Sequence, residues 1–491
     1  MMRPLLVVGP PCPGKSELAR SVAELTGRPL IDADTESLES HLKTRAAQSP
    51  IINVKSEVWL NRTTRVMALD RCVVVSVHDS VGHDGTRQAF HADSREDRLW
   101  DAALPAFREA HHVVQFDPQK LPSLAEEVTA IWRRDPMAVA AGDRTYLVDI
   151  GRGIVEERFA SLLGRSATIL LITDSNVECL HGERIEAALR ATGSRPVKVV
   201  FAAGEKQKQL ATLGQIFDQA QRGGIDRTSP LIAVGGGVVT DIGGFAAATW
   251  MRGLRWIGVP TTLLGMVDAS VGGKTAVDFG DAKNAVGAFW QPSAVVCDID
   301  WLQTESKRNF VSALAEVVKT AIVGDAELFE TLEQERELIL QRDPDLLADV
   351  VRRCVRVKAR IVALDERESG LRAVLNLGHT VGHALEAQGG YGRWTHGEAV
   401  SLGLLAALRL GQRLGFTALE VVSRAVGLLK TLGLPVWLAD TDLKEAAELI
   451  SYDKKRAGSM LRFVFVKGIG EVNCQSLLLE DLRDLMPILS D

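Results

Sequence analysis

The apolar positions of this chain follow two rhythms. Short unbroken apolar runs alternate with amphipathic stretches up to about residue 309, and helical periodicity dominates from Phe310 to Leu414. In the first 135 residues, Leu5–Gly9, Pro29–Ile31, Cys72–Val77 and His112–Phe116 read as buried strands, and Leu124–Arg134 as a closing helix. Runs of this length with helices between them predict a parallel α/β sheet. Asp135–Asp143 holds Pro136, Gly142 and small residues, so residues 136–143 are expected to be a linker. A second α/β pattern starts at residue 144, with strand candidates at Thr145–Ile150, Ala167–Thr173, Val197–Phe201, Pro230–Val234 and Leu254–Val259. Met460–Val466 is expected to form a late strand pair or hairpin. The pattern therefore divides the chain into an α/β domain over 1–135, a linker, a second α/β subdomain over 144–309 and a mainly helical subdomain over 310–491.

Composition narrows the classes. Of 491 residues, 57 are Lys or Arg and 63 are Asp or Glu, a net charge of −6. That balance excludes nucleic-acid binding driven by net charge. A hydrophobic content of 46% with 24% charged residues is that of a globular protein. The apolar run at Leu5–Val8 is too short for a secretory core or a membrane span, and no long uncharged apolar stretch follows. The six cysteines are irregularly spaced, without CxxC pairs, so reduced thiols and a cytoplasmic location are expected.

Gly9-Pro10-Pro11-Cys12-Pro13-Gly14-Lys15-Ser16 fits G-x-x-x-x-G-K-S between a predicted strand and a predicted helix, the context that motif needs. Such a loop cradles phosphates with backbone N–H groups at the positive end of a helix. Lys15 would reach the terminal phosphates and Ser16 would ligate Mg²⁺. Asp32 and Asp34 close the next strand and would point the same way.

The second constellation is denser. Ile232-Ala233-Val234 runs into Gly235-Gly236-Gly237-Val238-Val239-Thr240-Asp241 and a small-residue helix, a strand–glycine–helix turn that lets backbone approach a pyrophosphate. Asp174 and Asn176, Gly204-Glu205-Lys206-Gln207-Lys208, and Pro260-Thr261-Thr262 each follow a predicted strand, at the ligand edge of an open sheet. Val267-Asp268-Ala269-Ser270-Val271-Gly272-Gly273-Lys274-Thr275, then Lys283-Asn284, reads as glycine-rich loop suited to an anion. In the helical part, Glu316 and Lys319 share a face, and so do His379 and His383, with His396 following. Three clustered histidines and a helical Glu point to a metal site of two imidazoles and one carboxylate, and spacing alone leaves open which two histidines ligate. Arg252, Lys274, Lys319, Lys358, Arg372, Lys454 and Lys455 accompany these motifs, which implies a substrate with several negative charges.

On these residues, 1–135 resembles shikimate kinase through Gly14-Lys15-Ser16 and Ile31-Asp32-Ala33-Asp34, which implies a phosphate-loop fold with Mg²⁺ and ATP held by Pro11, Cys12, Pro13, Gly14, Lys15, Ser16 and Asp34. Departures follow: Cys12 stands at a family glycine, Asn61 (beside Arg62) and Ala103 at family arginines, and Val77–Gly82 at the family's triple glycine. The acceptor site is therefore expected to be eroded, with an active kinase or a non-catalytic nucleotide module as alternatives.

Residues from about 144 to 491 resemble 3-dehydroquinate synthase, through Gly235–Asp241, Met251-Arg252-Gly253, Pro260–Leu264, Val267–Thr275, Ala315–Lys319, Asp365–Glu368, Asn376–His383 and Asp453-Lys454-Lys455. The resemblance implies a Rossmann-like dinucleotide domain followed by a helical metal-binding domain. It implies NAD and Zn²⁺ or Co²⁺, with Glu316, His379 and His396 as metal ligands and His383 beside the phosphate. It places Asp174, Asn176, Ala203, Gly204, Glu205, Lys206, Gln207, Lys208, Gly236, Gly237, Val238, Val239, Thr240, Asp241, Thr261, Thr262, Trp301, Leu302, Gln303 and Thr304 around NAD, with Lys274, Lys283 and Asn284 near cofactor and substrate. Asp268, Lys274, Lys319, Lys358, Arg372, Asn376, His383, Lys454 and Lys455 would serve a small anionic sugar-acid phosphate, and Arg252 a partner's site in a homodimer. Thr240 stands at a usual glycine, which is costly if that position needs a positive φ. The implied reaction is transient oxidation by NAD, phosphate elimination, reduction and intramolecular aldol closure. The competing readings are another sugar-phosphate cyclase and a polyol dehydrogenase.

Overall fold

In the computed structural model, residues 5–8, 13–33, 38, 50–54, 72–79, 112–116, 120–141, 144–163, 168–280, 282–390, 392–437, 440–454 and 460–478 are described. Gly9–Cys12, Asp34, Asn61, Arg62, Ala103 and Lys455 lie outside them. The chain separates into two units, one of residues 1–149 with 293–295 and one of residues 150–292 with 296–491.

In the first unit the apolar runs form a parallel sheet. The fully buried β1 (Leu5–Val8) lies at its centre. With β2 (Leu30–Ala33), β3 (Ile51–Val54), β4 (Val73–Asp79) and β5 (His112–Phe116), the order is β2-β3-β1-β4-β5, all pairs parallel. Helix α1 (Pro13–Thr26) lays Leu18, Ala19 and Val22 on the sheet, and α2 (Leu121–Arg134) lays Ala125, Val128 and Ile131 beside them. These are helical spacings, and burying Leu18, Val22, Val128 and Ile131 stabilises each by roughly 1.5–3 kcal/mol relative to exposure. The strand at Ile51–Val54 is absent from the sequence reading, because four residues broken by Asn53 give no alternation to detect. It makes Cys72–Val77 part of the fourth strand, not the third.

The expected linker is a correction. Met137–Ala141 forms β6, buried at every position and antiparallel to β7 (Arg144–Gly151). A Met-Ala-Val-Ala-Ala segment has one β-branched residue, so its composition signals a linker while its small side chains pack well in a covered hairpin.

In the second unit β8 (Thr168–Asp174), β9 (Arg195–Phe201), β10 (Leu231–Gly235) and β11 (Trp256–Pro260) pair in parallel. Helix α3 (Val155–Leu162) precedes β8, and α4 (Ser175–Ala191), α5 (Leu210–Gly223) and α6 (Gly237–Thr249) run between these strands. Leu213 and Ile216 of α5, and Ile242 and Phe245 of α6, share a core with Leu170, Ile172, Leu231 and Ala233. The segment expected as glycine-rich loop is an irregular helical turn at Gly265–Ala269 followed by an antiparallel hairpin of β12 (Lys274–Phe279) and β13 (Ala282–Phe289). The buried β14 (Ala294–Asp298) gives the neighbour order β14-β11-β10-β8-β9.

The helical part follows as expected: α7 (Lys307–Gly324), α8 (Ala326–Gln334), α9 (Arg336–Leu340), α10 (Pro344–Leu364), α11 (His379–Gln388), α12 (His396–Arg413), α13 (Leu419–Thr431) and α14 (Asp440–Lys454). The hairpin of β15 (Met460–Gly468) and β16 (Glu471–Leu478) closes the described chain. Helix α12 is buried along most of its length. A Cβ at Gly403 would lie 1.9 Å from the Gly378 carbonyl oxygen, so only glycine lets α12 approach the start of α11 this closely. No described helix is long and apolar enough to cross a membrane. Cys179, Cys354 and Cys474 are free thiols.

Candidate metal and dinucleotide site

Three helix segments bring the metal candidates together. Glu316 lies mid-way along α7, where every side chain from Ser312 to Val323 is buried. His379 is the first residue of α11, placed by Gly378 in a left-handed turn at φ +79°. His396 is the first residue of α12, placed by a capping box between Thr395 and Glu398. Ser312 fastens α12 to α7: its Oγ accepts from Gly397 N at 3.1 Å and pairs with Thr395 Oγ1 at 2.7 Å.

The result is a convergent donor set. Nε2 of His379 lies 3.5 Å and Nε2 of His396 3.4 Å from the same Glu316 oxygen, Oε1. Glu316 is 1% exposed and neither of its carboxylate oxygens accepts a well-directed hydrogen bond, although the Lys319 ammonium pairs with Oε2. A buried carboxylate left in that state is costly unless a cation completes it. Two imidazole nitrogens and a carboxylate suit Zn²⁺ or Co²⁺. The electrostatics agree. Burial alone would push Glu316 up, but Lys319 and the two histidines hold it well below the usual carboxylate range. Burial and then Lys319 press His379 down to about 3, keeping it neutral as a metal ligand must be. Burial would lower His396, yet Glu316 and Glu386 raise it to about 10, so the cluster draws in positive charge. His383 is the third ring of the group, 5.2 Å from His379 and 6.2 Å from His396 between centroids, and exposed.

The expected cations divide by environment. Lys319 is buried on Glu316. Lys358 donates to Asp268 through both Oδ1 and the backbone carbonyl, at 2.5 Å each. Burial depresses the Lys358 ammonium against the pull of Asp268, and burial would push Asp268 up, but Lys358 and Lys319 together hold it at about 2. Lys274 pairs with Glu368, whose other oxygen accepts from Asn376 Nδ2 at 2.6 Å. Arg372 is almost fully buried and donates to the Glu366 and Gly272 carbonyls at 2.5 and 3.1 Å, so it ties the loop that precedes it to the Gly272 turn. Arg252 is exposed at φ +65° on the turn after α6. Lys454 is the last residue of α14, and Lys455 lies outside the described residues.

The dinucleotide candidates gather at the C-terminal ends of β8 to β11. Helix α6 starts at Gly237 without a side-chain cap, and the first-turn amides of a helix have no intrahelical partner, which suits a pyrophosphate. Gly236 has φ −73°, and Thr240 sits inside α6 with its hydroxyl donating to Gly237 O at 3.0 Å. Thr240 therefore needs no left-handed backbone, and the glycine it replaces is dispensable here. The buried Lys208 pairs with Asp241 at 2.6 Å and donates to Asn284 at 2.5 Å. Thr261 N donates to Gly235 O at 3.0 Å, and Thr262 Oγ1 accepts from Gly265 N at 3.1 Å. Asp174, expected at a ribose, caps α4 by accepting from Asn176 N and Val177 N at 2.9 and 3.0 Å. Ala203 N donates to Ser175 Oγ at 3.1 Å, which ties the Ala203–Lys208 segment to the start of α4. Trp301 and Leu302 are core residues, at 1% and 0% exposure, so their side chains do not line a cofactor groove. Gln303 donates to Arg342 O, and Thr304 pairs with His181.

Comparison with known proteins identifies this arrangement. Family models described as 3-dehydroquinate synthase N-terminal and C-terminal match residues 198–312 and 313–456. A 3-dehydroquinate synthase of Pelobacter propionicus is 41% identical over 351 residues, covering 71% of this chain and 98% of that protein. One from Caulobacter vibrioides is 43% identical over 342 residues, covering 68% and 92%. The chain belongs to the 3-dehydroquinate synthase family. Among solved structures, a 2-epi-5-epi-valiolone synthase from Streptomyces hygroscopicus subsp. jinggangensis 5008, with NAD⁺ and Zn²⁺ bound, is 28% identical at a TM-score of 0.64, covering 70% of this chain and 96% of that one. A 2-deoxy-scyllo-inosose synthase complexed with carbaglucose-6-phosphate, NAD⁺ and Co²⁺ shares the fold at 23% identity and a TM-score of 0.65, covering 72% and 99%.

Two residues of this family member escaped the sequence reading. Glu368 joins Lys274 to Asn376, and its acidic neighbours in Asp365–Glu368 masked it. Glu386 touches His396, and its spacing from His379 and His383 on α11 (i, i+4, i+7) marked it as a third residue on their face.

In the first unit, Lys15 Nζ donates to Val54 O at 2.8 Å. Asn53 Nδ2 bridges Ser16 Oγ at 3.2 Å and Asp32 Oδ1 at 2.7 Å. The sheet thus gathers Lys15, Ser16 and Asp32 around the unanticipated β3.

Proposed function

We propose that the chain converts 3-deoxy-arabino-heptulosonate 7-phosphate to 3-dehydroquinate and phosphate. The observation that carries this reading is the Glu316–His379–His396 cluster, in which both imidazoles converge on one oxygen of a buried carboxylate, set beside buried lysines in a family member. Glu316, His379 and His396 would hold a divalent metal that polarises hydroxyl oxygens, and the turn at Gly236–Asp241 would hold NAD⁺ as an acceptor that later returns its hydride. The chain's own residues do the binding and orienting. Lys274 and Asn376 both hold Glu368 and present donors for an anionic oxygen, while Lys358 and Lys319 place positive charge around Asp268 and Glu316. Anchoring both ends of a flexible sugar acid through several steps is chiefly positioning work. The identity to 3-dehydroquinate synthases favours this reading over another cyclase. Purified chain should release phosphate from the substrate in a metal-dependent way. Full activity in a His379→Ala, His396→Ala double variant would overturn the reading.

The exposed, left-handed Arg252 supports a homodimer in which it completes a partner's anion site, testable by the mass of the chain in solution. For residues 1–135, the β2-β3-β1-β4-β5 order with Ser16, Asn53 and Asp32 in contact supports a phosphate-loop module that binds MgATP, with an eroded acceptor site. Saturable ATP binding by the full chain, lost in Ser16→Ala and Lys15→Ala, is the expected result. Shikimate-dependent ADP release would replace the eroded-site reading with that of a bifunctional enzyme.

A further inference from the structure

Each imidazole in the cluster presents Nε2 to Glu316, so each Nδ1 must find its own partner. For His379 that partner is the Leu377 carbonyl at 3.2 Å. For His396 it is a carboxylate, Glu386 Oε2, at 3.4 Å. The other Glu386 oxygen accepts from Lys283 Nζ at 3.2 Å, and Lys283 also lies 3.6 Å from Glu205. Glu386 is 4% exposed. One buried carboxylate therefore touches a metal candidate and, through Lys283, reaches the segment that follows β9 in the dinucleotide half.

Resting on the metal reading above, we propose that Glu386 is a positioning residue. It fixes the tautomer and ring angle of His396, and through Lys283 and Glu205 it couples the metal to the cofactor segment. A carboxylate that accepts from Nδ1–H leaves the Nε2 lone pair free and raises its basicity. His383, Glu386 and His396 also lie close enough to hold an ion among themselves. Counting partners argues against that use. Both Glu386 oxygens are taken, one by His396 and one by Lys283, whereas both Glu316 oxygens lack a directed hydrogen bond. Nδ1 of His396 faces Glu386, so an ion bound there would turn Nε2 into a donor and remove it from the Glu316 set.

The test uses the full chain, with Zn²⁺ affinity read by chelator competition and Co²⁺ read by its visible absorption spectrum. Glu386→Ala should weaken Zn²⁺ binding about 10–100-fold, the range for loss of such a partner, and alter the Co²⁺ spectrum. Glu386→Gln keeps an acceptor for Nδ1–H and should recover part of the affinity, which a purely structural role would not predict. In the wild type, NAD⁺ should bind more tightly with Zn²⁺ present, and Lys283→Met should remove that difference. Unchanged Zn²⁺ affinity and Co²⁺ spectrum in Glu386→Ala would overturn the proposal. So would two ions per chain with one lost in His383→Ala, since Glu386 would then be a ligand. Glu316→Gln is the control for the underlying reading: if it still binds metal normally, the Glu316 site itself is wrong, whatever Glu386 does.

Discussion

Substituting Gly403 by Ala is expected to disable the metal site from a position that touches no ligand. The added Cβ would lie 1.9 Å from the Gly378 carbonyl oxygen, whereas real Cβ contacts stay beyond 3.0 Å. The Cβ is fixed to the α12 backbone and the oxygen is the carbonyl of the residue just before α11, so no rotamer relieves the clash, and α12 must part from the start of α11 by about 1 Å or more. His379 is the residue after Gly378, and His396 begins α12, so the separation falls directly between two ligands whose rings are now 5.4 Å apart. Metal–ligand distances tolerate about 0.2 Å, several times less than this shift. Overpacking should also lower stability by about 1–3 kcal/mol. A misplacement of this size typically costs about 100-fold in turnover. Bound metal after dialysis, phosphate release and thermal midpoint are the measurements. A Gly403→Ala protein that keeps its metal, its turnover and its midpoint would refute the claim that this contact sets the ligand spacing.

Three further outcomes follow from the same geometry. Burial pushes Glu305 up to about 7 from 4.5, against the pull of its Leu263 N–H bond at 3.0 Å. Between those two values the folded chain holds a proton that the unfolded chain has released, so this group makes stability fall as pH rises through that window; Glu305→Gln should gain melting temperature on the wild type from pH 5 to pH 8, and a constant difference would contradict this. Lys208→Met takes the buried ammonium away from the half-buried Asp241 carboxylate and should cost about 1–3 kcal/mol in urea unfolding; adding Asp241→Asn should recover part of it, and no loss in the single variant would show the pair to be idle. Glu316→Gln removes the carboxylate on which both Nε2 atoms converge, so metal measured by mass spectrometry should drop below one per chain while the fold persists.

The sequence displays its chemistry more clearly than its scaffold. Glu316, His379, His383 and His396 announce themselves because helical spacing puts ligand types on shared faces. The final choice among the histidines needed α11 and α12 to be packed, since contacts between helices have no signature in spacing. Thr240 looked anomalous only because its backbone angle was unknown. β3 and β6 were missed for related reasons: one is four residues with an Asn inside it, the other is mostly Ala, and neither alternates. Asp174 and Trp301 lie in legible motifs, yet one side chain caps a helix and the other fills the core. A motif locates a segment, whereas the role of each side chain depends on what packs against it.

The central claim is a phosphate elimination in which NAD⁺ is returned unchanged. The most direct test gives the metal-loaded full chain excess 3-deoxy-arabino-heptulosonate 7-phosphate and a single equivalent of NAD⁺ per site, then follows phosphate and NADH together. The account predicts many phosphates released per NAD⁺ with no accumulating NADH. Turnover that stops after one equivalent, or NADH that rises in step with product, would contradict it.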